Sequence, residues 1–226
     1  MSQYSYSPLQ AGQNRIRLLR LLPAEADEAE IQCELFDYSL DDSRRNHLYE
    51  ALSYVWGDPK NTLPVLMHGQ RFEVTVNLHA ALLRLRNHAM QRILWVDAIC
   101  INQVDQKEKE HQIQAMAKIY GQANRVVVWL GEAADGSDEA IEQLRVTGDN
   151  TPSAPIRERG PISGPTLALL QRPWFRRIWV KQQLFEGANL VTKHSIIGTS
   201  GGRCSPSCPY CLWLGRSRWL RFLLKY

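Results

Sequence analysis

Cysteine, charge of one sign and long apolar runs are all scarce in this sequence, and each shortage excludes a class of protein. Five cysteines among 226 residues, odd in number and unevenly spaced, do not make the disulfide framework on which small secreted domains depend. Lys plus Arg exceed Asp plus Glu by 27 − 23 = +4, too small a surplus to argue for a nucleic-acid partner. No stretch approaches the ~20 apolar residues that span a bilayer, so no transmembrane segment is expected. The opening MSQYSYSPLQAGQNR has neither the basic flank nor the apolar run of a secretory signal, and the expected compartment is the cytoplasm. A Walker loop and a G-x-G-x-x-G behind a strand are missing too. Ser53, His79 and Asp97 have the residue types of a hydrolase triad, but no G-x-S-x-G elbow accompanies them.

What is present is the composition of a folded domain, with 44% apolar and 22% charged residues, enough for a core without staples. Residues 1–14 are polar and read as a flexible arm. Ile16 to Leu22 and Ile31 to Leu40 fit two strands of an N-terminal β-hairpin, and Val65 to Val76 a second hairpin around His68-Gly69-Gln70. Tyr49 to Gly57 reads as a buried strand emptying into a loop. Asn77 suits the N-cap of a helix carrying Leu78, Leu82 and Leu85 on one face. Ile93 to Asp97 and Arg125 to Leu130 are short, wholly apolar strands. Between them, Asp105 and Glu108 have capping-box spacing ahead of a helix with Ile113, Met116, Tyr120 and Ala123 on one face. Ser137 is the expected cap of the acidic helix that follows.

Apolar strands alternating with amphipathic helices imply an α/β fold with a mostly parallel sheet covered on both faces. Residues 147–165 are rich in Gly, Pro and Ser and read as a linker. A helix over Trp174 to Phe185 and a strand over Leu190 to Ser195 follow. The domain therefore runs over 15–197. Residues 198–226 mix apolar and basic residues without periodicity, and read as an irregular tail outside the packed domain. A truncated gene, a retained intron or a shifted frame would each produce such an end. Cys204, Cys208 and Cys211 within it are crowded enough to suggest a metal, yet a structural zinc site needs four ligands and no His follows them.

Polar residues cluster where buried strands end: Tyr54, Trp56, Gly57 and Asp58 after the first, Asp97, Asn102 and Gln103 after the second. In an open parallel sheet the carboxyl ends of strands form the ligand crevice. The plainer alternative is that Asp97 and Asn102 satisfy loop backbone groups.

Three blocks resemble the fungal heterokaryon incompatibility (HET) domain. They are YEALSYVWGD from Tyr49, LWVDAICINQ from Leu94 with the helix and VVVWLG beyond it, and RPWFRRIWVKQQ from Arg172. The resemblance implies a module of fungal non-self recognition and programmed cell death, acting through protein partners or self-association. It also implies a doubly wound fold similar to the Toll/interleukin receptor (TIR) domain. Some TIR domains cleave NAD with a helical Glu four residues after a Trp. Here Trp179 is followed at that spacing by Gln183, which lacks the charge a cationic ribose would need, with Glu186 one turn on. NAD is thus the cofactor or substrate that the resemblance raises, and Asp97, Gln183 and Glu186 are the candidate catalytic positions. The ligand-binding candidates are Tyr54, Trp56, Gly57, Asp97, Asn102, Gln103 and Trp179.

Overall fold

The computed structural model describes residues 4–9, 14–41, 48–150, 163–176, 193–197 and 211–214. Strands β1 (Arg15–Leu21) and β2 (Gln32–Ser39) pair antiparallel with Leu18 opposite Phe36, the expected N-terminal hairpin. β3 (Glu50–Ser53) is short and almost wholly buried. β4 (Thr62–Met67) and β5 (Gln70–Thr75) form the second hairpin. Its turn is tight because His68 and Gly69 both take positive φ, 50° and 74°, the backbone a two-residue primed turn requires.

Helix α1 (Val76–Leu85) buries Leu78, Ala81, Leu82 and Leu85. β6 (Arg92–Trp95) then leads through the one-turn α2 (Asp97–Cys100) to α3 (Gln106–Gln122). β7 (Arg125–Trp129), α4 (Ser137–Asn150) and α5 (Gly164–Leu170) complete the α/β run. A 3-10 turn, Pro173–Arg176, and strands β8 (Lys193–Ile197) and β9 (Cys211–Leu214) follow.

The strands form one sheet in the order β5-β4-β2-β1-β6-β3-β7-β8-β9. β3 lies between β6 and β7, and β8 beside β7, all parallel. β2–β4 is parallel as well, but β1–β2, β1–β6, β4–β5 and β8–β9 are antiparallel. The sheet is therefore mixed, not mostly parallel. Parallel strands need a long crossover, and here α2 and α3 carry the chain from β6 past β3 to β7, whereas β1–β2 and β4–β5 are hairpins.

Several local expectations change. Thr75, not Asn77, caps α1, its hydroxyl accepting from the Leu78 amide at 3.4 Å. Asp105 caps α3 as expected, but Glu108 does not turn back on it. Ile113 is 40% exposed, whereas Tyr120 and Ala123 are buried as expected and are joined by Gln112 and Ile119. The expected linker is partly helical, since α4 runs to Asn150 and α5 starts at Gly164. The tail is not wholly outside the sheet, because β9 pairs with β8. Nor is the N-terminal arm wholly frayed: the Tyr6 hydroxyl donates to the Ile99 carbonyl at 2.8 Å. No helix among the described residues is long and apolar enough to cross a membrane.

Trp95, Tyr49, Tyr54, Leu18, Leu52 and Leu82 are fully buried in one continuous core. At the opposite end of the parallel strands from the loops considered below, Glu50 of β3 binds Arg92 of β6 and Arg125 of β7. That carboxylate ties three adjacent strands in register.

Candidate functional site

Because β6, β3 and β7 run parallel, their carboxyl ends share one edge of the sheet. Ser53 to Trp56 leave β3 there, Val96 and Asp97 leave β6, and Leu130 and Gly131 leave β7. Asp97 is the first residue of α2, whose N-cap Val96 offers no side-chain acceptor. Its Oδ1 accepts from the Ala98 amide at 2.8 Å and its Oδ2 from the Trp56 indole Nε1 at 2.9 Å. The carboxylate thus satisfies a helix-start amide and clamps the β3 loop to the β6 loop. Trp56 remains 38% exposed, so the indole is fixed by its nitrogen while part of its surface is open to solvent.

The residues that follow hold the α2–α3 loop. Gln103 Nε2 donates to the Asp97 carbonyl at 2.8 Å, and Asn102 Oδ1 accepts from the Val104 amide at 3.3 Å. The Asn102 amide donates to Glu108 Oε1 at 2.7 Å. The loop-capping reading of Asn102 therefore holds, and Asp97 both caps and binds Trp56. Glu108 in turn forms a two-point ion pair with Arg17 of β1, at 2.6 and 3.0 Å, with Arg17 3% and Glu108 10% exposed. A pair this buried depends on both partners, since either charge alone would be stranded out of water.

Gly57 turns the chain away from β3 at φ 80°, and a Cβ there would sit 3.4 Å from the Asn77 Cβ. Asn77 is close because it bridges two strand ends. Its Nδ2 donates to the Val55 carbonyl and its Oδ1 accepts from Trp129 Nε1 at 2.9 Å. Beneath the edge, Ser53 Oγ accepts from Trp174 Nε1 at 3.0 Å in a buried bond. Ser53 is itself buried, and its hydroxyl serves to hold that indole. Arg172 donates to the Leu130 carbonyl at 3.1 Å and the Ala134 carbonyl at 3.0 Å, fastening the β7–α4 loop. Tyr54 is 1% exposed and belongs to the core below the edge.

The structure therefore gathers Trp56, Gly57, Asp97, Asn102 and Gln103 at one edge and buries Tyr54 beneath it. Trp179, Gln183, Glu186, Cys204 and Cys208 lie outside the described residues, and Cys211 lies on β9. Among the described residues no three His, Cys, Asp or Glu gather as metal ligands would. Sequence alone does not place Asn77, Trp129, Trp174 or the Arg17–Glu108 pair at this edge. A buried indole needs an acceptor for its N–H, so the tryptophans closing strand β7 and following Pro173 were the available signal. Their acceptors, 52 and 121 residues away along the chain, were not.

A family model described as "Heterokaryon incompatibility protein (HET)" matches residues 49–183, which takes in this edge, α3 and the Arg172–Trp174 segment. The chain is also 36% identical over 146 residues to "Heterokaryon incompatibility protein 6, OR allele" of Neurospora crassa. That alignment covers 59% of this chain and 21% of the relative, so the chain spans about a fifth of the length of the curated protein it matches. No solved structure matches the chain.

Proposed function

Since the chain belongs to the heterokaryon incompatibility (HET) family, we propose that it is a cytoplasmic signalling module of fungal non-self recognition that triggers cell death through contact with a protein partner or a second copy. The parallel β6-β3-β7-β8 half, crossed over by α2 and α3, is the part that a TIR-like, doubly wound scaffold would supply. One observation carries the reading. Both Asp97 oxygens are engaged from within the fold, while Trp56, held by one of them, stays partly exposed. A carboxylate used this way positions a contact residue. Exposed aromatic rings held rigid are what protein contacts are built around.

The rival reading, cleavage of NAD or another nucleotide, needs Asp97 free to steady a developing cationic sugar. Two measurements separate them. Expression in a filamentous fungus should arrest growth, and Trp56→Ala should relieve the arrest. Purified protein incubated with NAD should release no nicotinamide, with either Gln183 or the Gln183→Glu variant. Turnover abolished by Asp97→Ala would replace the signalling reading with the enzymatic one, and normal growth at high expression would remove the signalling reading.

A further inference from the structure

The segment at the start of the chain is fastened to the same loop that carries Asp97. Tyr6 donates its phenol proton to the Ile99 carbonyl in α2 at 2.8 Å. The Ser7 carbonyl accepts from Arg17 Nη2 at 2.6 Å. Tyr4 pairs its amide with the Arg71 carbonyl of β5 at 3.4 Å and packs by its ring on Tyr6, His68 and Phe72. Arg17 lies over the Tyr6 ring, 5.1 Å from its centroid. Residues 4–9 are thus a strap reaching from the β4–β5 hairpin to α2.

Arg17 is where the strap meets the edge of the sheet. Besides Ser7 it holds the Cys100 carbonyl at 3.3 Å and both oxygens of Glu108. Glu108 holds the Asn102 amide, and Gln103 holds the Asp97 carbonyl. The path from Tyr6 to Trp56 therefore runs through part-buried hydrogen bonds, one backbone segment, Asp97 to Gln103, and the exposed Asp97–Trp56 bond. Removal of Tyr6 takes one bond directly from α2 and uncovers the guanidinium that organises the rest.

We propose that residues 4–9 act as a latch: seated, they hold the 97–103 loop so that Asp97 fixes Trp56, and released, they free that pair. The inference rests on the reading that the Trp56 edge is the contact surface, since only then does the latch regulate function. Burial pushes the Tyr6 phenol well above its ordinary value, so it remains a proton donor throughout the physiological range. Release thus requires a competing partner for the strap or a modification of it.

The test is hydrogen exchange followed by mass spectrometry on the full chain, comparing it with Tyr6→Phe and with Tyr4→Ala/Tyr6→Ala. Tyr6→Phe keeps the ring on Arg17 and removes only the bond to Ile99. It should speed exchange across residues 97–105 by about fivefold, the equivalent of one net hydrogen bond, with a larger effect in the double variant. Exchange in α1, which none of the strap's hydrogen bonds touches, should stay unchanged. Acceleration confined to residues 4–9 would overturn the latch. Uniform acceleration that includes α1 would overturn it too, because the strap would then stabilise the whole domain without selecting the loop. The readout involves neither growth nor turnover, so a latch that fails and a domain that fails to signal are separate results.

Discussion

Gly57 and Asn77 show how closely the edge of the sheet is fitted at the level of single residues. The left-handed backbone at Gly57, φ 80°, is open to glycine and strained for any residue with a Cβ, and the space a Cβ would enter is bounded by Asn77. Gly57→Ala should therefore destabilise the domain by about 1–2 kcal/mol, read as a lower urea midpoint at unchanged slope. Asn77 is fixed by its two bonds to Val55 and Trp129. Asn77→Ala should cost about 1–3 kcal/mol, because a part-buried carbonyl and an indole N–H both lose their partner. The sequence places Trp56, Gly57 and Asp97 at strand ends correctly, since apolar runs that stop at Gly or Asp mark where buried strands surface. It does not reveal that Asp97 points back at Trp56, 41 residues earlier. Local pattern says where a residue leaves its strand, and only the order of strands says what it then meets.

Among the elements, α3 separates what spacing can decide from what it cannot. Asp105 and Glu108 have the capping-box interval, and Asp105 does its part, accepting from the Lys107 and Glu108 amides at 3.0 and 3.1 Å. Glu108 instead reaches Arg17 and the Asn102 amide. The reason is energetic: a buried guanidinium demands a carboxylate more strongly than a helix-start amide demands a second acceptor. The two positions should consequently respond differently. Asp105→Ala loses a cap and should cost about 1 kcal/mol. Glu108→Ala strands Arg17 at 3% exposure and should cost about 3–5 kcal/mol, with Glu108→Gln between them because the amide oxygen can still accept. Denaturant titrations of the three variants would check the order, and equal losses at Asp105 and Glu108 would show that the ion pair contributes no more than a cap.

For the whole molecule, the same burial that unites the sheet sets a window of pH in which it is stable. The strand pattern points to an α/β core, and apolar continuity in β6 and β7 makes their place in a parallel part of the sheet legible. The two hairpins are legible as well; what local pattern does not show is that β1 also joins β6 antiparallel and β9 joins β8, which makes the sheet mixed. That burial reaches titratable groups. Cys33 and Cys100 are each 1% exposed, and burial pushes both thiols from an ordinary 9.0 up to about 12. Burial also raises the Tyr6 and Tyr49 phenols, and lowers His79 below its ordinary 6.5. The signs follow from which state holds the proton. Above about pH 9 the unfolded chain sheds thiol protons that the folded chain keeps, so stability present below that value is lost as pH climbs towards 12. Below about pH 6.5 the unfolded chain takes a proton at His79 that the folded chain resists, so stability present above that value is lost as pH falls. Thermal midpoints measured from pH 5 to 11 should therefore form a plateau between roughly 6.5 and 9 with a falling limb on each side. Replacing both thiols, Cys33→Ala with Cys100→Ala, should lower the plateau through lost packing yet flatten the alkaline limb. An alkaline limb equally steep in the double variant would show that the tyrosines alone control it.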